Sequence, residues 1–252
     1  MDRPLSGKRI VITRAPEDAG SLAALLADRG AELVFYPLLR IEPPADPAPL
    51  DAALDRIRDF GLLVCTSRNG VLRCCARARE RGLAWRDLPP VVAIGAGTAQ
   101  AAHEQALHVA LVPEHADGPG LVAAMAARDT REAVLLPQAH NARPLVARGL
   151  EDAGYPVTAV EAYRGEPATP GPLPEPASLD AVTFASAATV ERFISAAGDA
   201  AWRRLRADGC ALVAIGPQTA AAIQQHDGLV AAEAAEPTME ALADAVILAV
   251  IG

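Results

Sequence analysis

The sequence Ala93-Ile94-Gly95-Ala96-Gly97-Thr98-Ala99 returns later in the chain, with two differences, as Ala214-Ile215-Gly216-Pro217-Gln218-Thr219-Ala220. Flanking residues repeat as well, at offsets that drift slightly, as short loop insertions would cause. The matched pairs include Ser67 with Ser186, Leu121 with Leu242 and Gly30 with Gly154. A repeat of about half the chain is too long for a solenoid. It predicts an internal duplication that gives two similar α/β lobes, with a ligand cleft shared by them.

The composition narrows the class of protein. The chain has 252 residues and a net charge of −8, and no run of basic residues, which disfavours a nucleic-acid partner. The four cysteines lack metal-ligand spacing, so we expect buried, reduced thiols and no metal site. The N-terminus does not resemble a signal peptide, and the long apolar run Ala245–Ile251 is far too short to span a membrane. We therefore expect a soluble, cytoplasmic protein.

Each half alternates short apolar runs with amphipathic segments. The runs at 10–12, 62–65 and 91–94 resemble those at 134–136, 181–185 and 212–215. Unbroken apolar strands interleaved with helices are typical of a parallel sheet covered on both faces. We expect two doubly wound, flavodoxin-like lobes of about five strands each. Proline-rich segments at 36–49 and 163–176 are interpreted either as surface loops or as two crossings between the lobes.

Ligands of open α/β sheets bind beyond the carboxyl ends of the strands, where helix N-termini supply backbone N–H groups and a favourable dipole for anions. The segments at these positions are Thr13-Arg14, Thr66 to Gly70, Gly95 to Thr98, Ala185 to Ala187 and Gly216 to Thr219. Each hydroxyl there could instead be an ordinary helix cap. Their recurrence at equivalent strand ends in both halves favours an anion site built mainly from main-chain amides.

Two other chemistries are disfavoured. The Gly95-Ala96-Gly97 stretch lacks the third glycine of a dinucleotide fingerprint, because Gln100 occupies that position. None of the five histidines lies beside a plausible nucleophile, which disfavours a catalytic nucleophile–histidine pair. His140 falls in the segment Pro137–Asn141, which we interpret as a loop at the position equivalent to the Arg14 loop. There it could face the cleft, but we favour an ordinary solvated histidine.

The chain resembles the uroporphyrinogen-III synthase family over nearly its whole length. The resemblance rests on the two Ala-Ile-Gly-x-x-Thr-Ala segments and on Val11–Arg14, Tyr36–Pro43, Thr66–Val71, Ala185–Val190 and Pro237–Leu242. It implies a two-stranded linker between the lobes. Lobe 1 would comprise residues 1–37 and 167–252, lobe 2 would comprise 38–166, and the crossings would lie near 36–49 and 160–176.

The resemblance also implies an activity. Family members close the linear tetrapyrrole hydroxymethylbilane to uroporphyrinogen III, with inversion of ring D and loss of water, and they need no metal or organic cofactor. Tyr163 matches the tyrosine expected to assist departure of the hydroxyl. The expected substrate-binding residues are Arg14, Thr66, Ser67, Asn69, Gly95, Thr98, Ser186, Ala187, Gly216 and Thr219. The implied protein is a monomer that could contact the upstream hydroxymethylbilane synthase.

An alternative interpretation is a non-catalytic bilobal module that binds or senses a small anionic molecule. A sensor would need an effector or DNA-binding partner, and the residues outside the two repeats leave no room for one. Formation of the III isomer from hydroxymethylbilane distinguishes the two interpretations.

Overall fold

A computed structural model describes residues 3–252, without the side chains of residues 17 and 18. Strands and helices alternate through most of this range. The strands are Arg9–Ile12 (β1), Glu32–Phe35 (β2), Leu39–Glu42 (β3), Leu62–Cys65 (β4), Val91–Ala93 (β5), Val109–Leu111 (β6), Val134–Ala139 (β7), Val157–Pro167 (β8), Ala181–Phe184 (β9), Ala211–Ala214 (β10) and Val230–Glu233 (β11). The α-helices are Pro16–Asp28 (α1), Ala48–Asp55 (α2), Arg68–Glu80 (α3), Ala96–Glu104 (α4), Gly118–Ala126 (α5), Leu145–Asp152 (α6), Ala187–Ala197 (α7), Asp199–Ala207 (α8), Pro217–Gln225 (α9) and Met239–Ile251 (α10).

The chain divides into two compact units. Unit 1 contains the residues up to Arg40 together with Pro167–Gly252, and unit 2 contains Ile41–Glu166. The chain thus passes from one unit to the other twice, within β3 and at the end of β8. These two strands are neighbours in one sheet.

Unit 1 contains a five-stranded sheet in the order β11-β10-β9-β1-β2, with parallel pairs throughout. Numbered within the unit, this is the doubly wound order 2-1-3-4-5, which reverses direction between β1 and β9. Helices α1 and α10 pack on one face, and α7, α8 and α9 pack on the other. Two buried threonines join the central strands: Thr13 Oγ1 donates to Thr183 O at 3.2 Å, and Thr183 Oγ1 donates to Val11 O at 3.0 Å.

Unit 2 has the same topology in permuted form. Its sheet runs β3-β8-β7-β4-β5-β6, and the β8-β7-β4-β5-β6 portion is parallel. If β7-α6-β8 is counted first, this order is again 2-1-3-4-5. The segment β7-α6-β8 is therefore the counterpart of β1-α1-β2, and the doubly wound, flavodoxin-like fold predicted from the repeat is confirmed. The strand order of unit 2 reverses direction between β7 and β4, as that of unit 1 does between β1 and β9.

The cores are built largely from aliphatic side chains, because both faces of each sheet are covered. In unit 2, α2, α3 and α4 bury one face and α5 and α6 bury the other. Four aromatic side chains of unit 1 cluster on one face, where Phe193 makes edge contacts with Tyr36, Phe184 and Trp202 at centroid distances of 5.4–6.2 Å. Burial of each Leu, Val or Phe side chain stabilises the folded state by about 1.5–3 kcal/mol relative to leaving it exposed.

One local expectation is wrong. The segment Pro137–Asn141 is not a loop throughout, because β7 continues to Ala139. Proline is tolerated there since the residues of β7 that pair with β4 end at Leu135, before Pro137. The proline-rich segment 36–49 contains β3, in which the chain passes from unit 1 to unit 2, and the start of α2. Pro49 lies in the first turn of α2, where backbone N–H groups have no partner within the helix.

None of the helices within residues 3–252 is both long and apolar enough to cross a membrane. All four cysteines are buried and free of disulfide bonds, as predicted.

Candidate active site

The carboxyl edge of each sheet carries the helix N-termini that the sequence predicts. In unit 2, Ser67 follows β4 as the N-cap of α3, and Gly95 follows β5 as the N-cap of α4. In unit 1, Ser186 and Gly216 have the same positions before α7 and α9. Each edge therefore presents two helix dipoles and their first-turn amides, which together favour anionic groups.

Both serines are helix caps. Ser67 Oγ accepts a hydrogen bond from the Gly70 N–H at 3.0 Å, and Ser186 Oγ accepts one from the Thr189 N–H at 3.3 Å. The first N–H groups of α3 and α7 precede these capped amides and are the donors that a cap does not satisfy. The neighbouring predicted residues Thr66, Asn69 and Ala187 are half-buried.

The two glycine-capped helices differ in their donors. The Thr98 N–H donates to Gly95 O at 3.1 Å, and the Thr219 N–H donates to Gly216 O at 3.1 Å. Helix α4 begins with two amides before Thr98, whereas α9 begins with Pro217, which has no N–H. The N-terminus of α9 therefore offers one donor fewer to an anion.

The buried threonines limit one expectation. Thr98 and Thr219 are only 6% and 3% exposed, so their contribution to any ligand contact is small compared with that of the backbone before them. Gly95 has a steric reason for its identity: a Cβ there would lie 2.9 Å from the Cβ of Ala116. Gly70 is similarly restricted, because its Cβ would lie 3.0 Å from Pro137 O.

Unit 2 brings two predicted site residues into direct contact. Ser67 Oγ and Tyr163 Oη lie 2.8 Å apart, within hydrogen-bonding distance. Since Ser67 Oγ already accepts from the Gly70 N–H, it can donate its own proton to Tyr163 Oη. The phenol O–H is then available as a donor to a further group.

A bulge in β8 explains how Tyr163 reaches Ser67. Gln138 pairs with Glu161 and Ala139 pairs with Tyr163, so Ala162 is an extra residue without a partner in β7. Consecutive residues of a regular strand point to opposite faces. Here Ala162 and Tyr163 both pack against the core under α3. The irregularity turns the phenol toward the first turn of that helix.

The sequence did not identify a charged network that flanks Tyr163. Glu161 Oε2 lies 2.7 Å from His140 Nδ1, and Glu161 Oε1 accepts from Arg164 Nε and Nη2 at 3.1 and 2.9 Å. Burial raises the pKa of Glu161, but the hydrogen bonds from His140 and Arg164 outweigh it and hold that pKa below its ordinary value. His140, expected to be a solvated loop residue, is 59% exposed but has a defined partner.

The predicted site residues are divided between the units. Tyr163, Thr66, Ser67, Asn69, Gly95 and Thr98 belong to unit 2, whereas Arg14, Ser186, Ala187, Gly216 and Thr219 belong to unit 1. Arg14 is exposed on the loop that follows β1, at the carboxyl edge of the unit 1 sheet. Within the described part of the chain, no group of three or more His, Cys, Asp and Glu side chains could hold a metal ion.

Comparison with known proteins identifies relatives over nearly the full length. The family model "Uroporphyrinogen-III synthase HemD" matches residues 20–244. The uroporphyrinogen-III synthase of Synechococcus elongatus is 31% identical over 252 aligned positions, which cover 96% of this chain and 95% of that protein.

Solved structures agree on the fold. The uroporphyrinogen-III synthetase of Helicobacter pylori has a TM-score of 0.56 at 17% identity, covering 94% of this chain and 97% of the other. A mutant uroporphyrinogen III synthase of Thermus thermophilus has a TM-score of 0.54 at 19% identity, covering 96% and 98%. At these identities the likeness concerns the fold.

Proposed function

The chain belongs to the uroporphyrinogen-III synthase family of cyclising lyases in porphyrin biosynthesis, and from that premise we propose that Tyr163 and the two carboxyl edges carry out the reaction. The substrate is hydroxymethylbilane. Ring closure with inversion of ring D and loss of water gives uroporphyrinogen III.

The helix N-termini suit this substrate. Hydroxymethylbilane carries carboxylate side chains on every pyrrole ring, whereas the protein has a net charge of −8. First-turn amides bind carboxylates without a net positive charge on the protein. We assign carboxylate binding to the N-termini of α3 and α4 in unit 2 and to those of α7 and α9 in unit 1, with Arg14 as a cationic contact. The amides before Thr98 and Thr219 would provide more of this binding than the threonine hydroxyls.

The hydrogen bond between Ser67 and Tyr163 is the observation that carries the assignment of the reacting centre. Ser67 is fixed as the cap of α3, so it holds the phenol oxygen at the carboxyl edge of unit 2. In this arrangement the Tyr163 O–H donates to the departing hydroxyl of the substrate. A tyrosine O–H positioned in this way can act as a general acid.

The proposed reaction begins with loss of the substrate hydroxyl. Tyr163 transfers its proton to the hydroxyl, the C–O bond breaks, and water leaves an electrophilic azafulvene. The substituted carbon of ring D attacks this carbon and forms a spiro intermediate. Rearrangement then inverts ring D, and the proton lost as the macrocycle regains its pyrrole rings compensates for the one that Tyr163 supplied.

The protein's main contribution in this proposal is positioning. The azafulvene is reactive by itself, and without guidance ring D closes through its unsubstituted carbon to give the I isomer. Binding the carboxylates in a fixed arrangement favours attack by the substituted carbon, and such orientation can supply about 7–11 kcal/mol of a barrier.

A product assay tests the proposal. Hydroxymethylbilane is generated enzymatically in the presence of the protein, the products are oxidised, and the I and III isomers are resolved. We expect the III isomer to dominate. If the I isomer alone forms, as in the control without protein, the proposed reaction is wrong.

The same assay separates catalysis from simple binding. A non-catalytic module would bind the tetrapyrrole without changing the isomer ratio. We also propose, from family membership, that the protein is a cytoplasmic monomer that receives substrate from hydroxymethylbilane synthase. Light scattering tests the monomeric state, and co-sedimentation of the two proteins tests their contact.

A further inference from the structure

We propose that Glu161, His140 and Arg164 are positioning residues that hold the bulge of β8 and thereby set the orientation of the Tyr163 phenol. The kinetic consequences of this inference rest on the proposed function, since they are measured in that reaction. Its structural basis lies in the contacts at the ends of β7 and β8.

The network closes around the bulge. Glu161 is the last β8 residue in regular register before the extra Ala162, and Arg164 is the first residue after Tyr163. The ion pair between Glu161 and Arg164, with an N–O distance of 2.9 Å, therefore spans the irregular residues within one strand. The strand cannot return to regular alternation without changing the separation of these two side chains.

His140 ties the bulge to the neighbouring strand. Its backbone N–H donates to Tyr163 O at 2.9 Å, and its Nδ1 lies 2.7 Å from Glu161 Oε2. One residue thus contacts β8 on both sides of Ala162. With Nδ1–H donated to the carboxylate, the short contact fixes the orientation of the imidazole, as carboxylates do for histidines in other sites.

The charges favour a persistent network. Glu161 is ionised, as the lowered pKa requires, and it faces two donors, the Arg164 guanidinium and the His140 imidazole. The side chains of Glu161 and Arg164 are 26% and 24% exposed, so the pair is partly shielded from water. Two guanidinium N–H groups share Glu161 Oε1, and such a partly buried, charge-assisted pair holds its geometry better than an exposed one.

A regular strand would have a different outcome. Without the bulge, Tyr163 would point to the face opposite Ala162, away from the core under α3, and its phenol would not reach Ser67. The network thus acts through Tyr163 and need not contact the substrate. Loss of the network should lower the rate of the chemical step and leave substrate binding unchanged.

Kinetic variants test this role. We expect Glu161→Gln and His140→Ala to lower kcat roughly three- to tenfold, with KM changed by less than about twofold. His140→Gln keeps a side-chain amide donor for Glu161 and should recover most of the loss. The matched control is Glu80→Gln, which breaks the exposed i,i+3 pair with Arg77 at the far end of α3 and should leave both constants unchanged. A raised KM with unchanged kcat would instead show that the network contacts the carboxylates of the substrate directly, and would overturn the proposal.

A double-mutant cycle tests the route through Tyr163. In a Tyr163→Phe background, Glu161→Gln should cause little further loss, because the group that it positions is already absent. Losses that multiply in the double variant would show that Glu161 acts independently of Tyr163.

A readout without turnover separates this inference from the proposed function. The chain has three tyrosines, so ¹³C labelling at Cζ gives three signals, and Tyr163→Phe assigns one of them. Glu161→Gln should shift the Tyr163 signal alone, whereas Glu80→Gln should shift none. An unchanged Tyr163 signal overturns the inference, even if the wild-type protein forms the III isomer. Formation of the I isomer alone would refute the proposed function and leave the spectroscopic result standing.

Discussion

Ser67 and Tyr163 share a hydrogen bond of 2.8 Å between Oγ and Oη, although 96 positions separate them along the chain. Ser67 also accepts from the Gly70 N–H and so caps α3. Its counterpart Ser186 caps α7, and its hydroxyl lies 2.7 Å from the Thr189 hydroxyl. The duplication therefore supplies two serines with one shared structural role, and only Ser67 has the contact with a phenol.

This difference gives a paired prediction. Ser67→Ala and Ser186→Ala should each lower the free energy of unfolding by about 1 kcal/mol through loss of a helix cap. Ser67→Ala should also lower the rate of III-isomer formation more strongly, because it leaves the phenol without its partner. Urea unfolding and the isomer assay measure the two effects. Equal rates for both variants would contradict a special role for Ser67.

Removal of the phenol hydroxyl tests Tyr163 itself. Tyr163→Phe should lower kcat roughly ten- to hundredfold without abolishing turnover, since positioning of the substrate is retained. Tyr155→Phe is the matched control. Its hydroxyl donates to Met125 O at 2.8 Å inside the same unit, so its loss should affect stability and not rate. A Tyr163→Phe variant with the full wild-type rate would remove this residue from the mechanism.

The sequence predicts the framework of each unit because its signals are local. Apolar runs mark strands buried on both faces, and Ser67 and Ser186 mark helix starts by residue type. The bulge at Ala162 leaves no such mark, since it is fixed by the pairing of β8 with β7, a separate strand on the other side of α6. For the same reason Glu161, His140 and Arg164 are not recognisable from the sequence as one network. The sequence also predicts a loop from Pro137 onward, whereas β7 continues to Ala139. A strand can contain this proline only because β7 stops pairing with β4 before it, and the sequence does not show where that pairing ends.

The stability of the pairing between β1 and β9 in unit 1 should depend on the buried hydroxyl of Thr183. Thr183→Val preserves the side-chain volume but removes the hydrogen bond to Val11 O, at an expected cost of about 1 kcal/mol in the free energy of unfolding. Thr130→Val provides the comparison, because its hydroxyl contacts Glu132 at the surface and its loss should cost less. Urea unfolding of the two variants measures the difference. Equal losses would show that the link between β1 and β9 adds nothing.

The pairing of α2 with α3 should make stability depend on pH. Two hydrogen bonds of 2.6 Å from Arg77 lower the pKa of Asp51 below its ordinary value of 3.8. The unfolded chain therefore binds a proton more readily than the folded chain. The stabilisation is present above pH 3.8 and is lost as the pH falls through the lower folded-state pKa.

Asp51→Asn tests this dependence. Unfolding by urea between about pH 5 and pH 2 should show a shallower loss of stability for the variant than for the wild-type protein. Above pH 5 the two curves should run parallel. A wild-type slope in the variant would assign the acid sensitivity to other carboxylates.

The thiols should be unreactive in the folded protein. Burial raises the pKa of Cys75 to about 11 and that of Cys210 to about 12, and it raises the pKa values of Cys65 and Cys74 as well. Since the thiolate is the reactive form, a disulfide reagent at pH 8 should modify these cysteines only after unfolding. Fast modification of any thiol in native protein would contradict its burial.

The permuted order of strands has a consequence for how the chain folds during synthesis. The parallel strands of unit 2 lie within one continuous stretch, so this unit can fold before residue 167 leaves the ribosome. Strand β1 pairs with β9, where Ile10 lies opposite Ala181. This pairing can form only after β9 has been synthesised. Once unit 2 has formed, β3 and β8 lie side by side, and the Ala168 N–H can donate to Leu38 O at 3.2 Å. The folded insert then replaces a long flexible loop and reduces the entropy cost of closing unit 1. Substitutions that weaken unit 2 should for this reason also delay the assembly of unit 1.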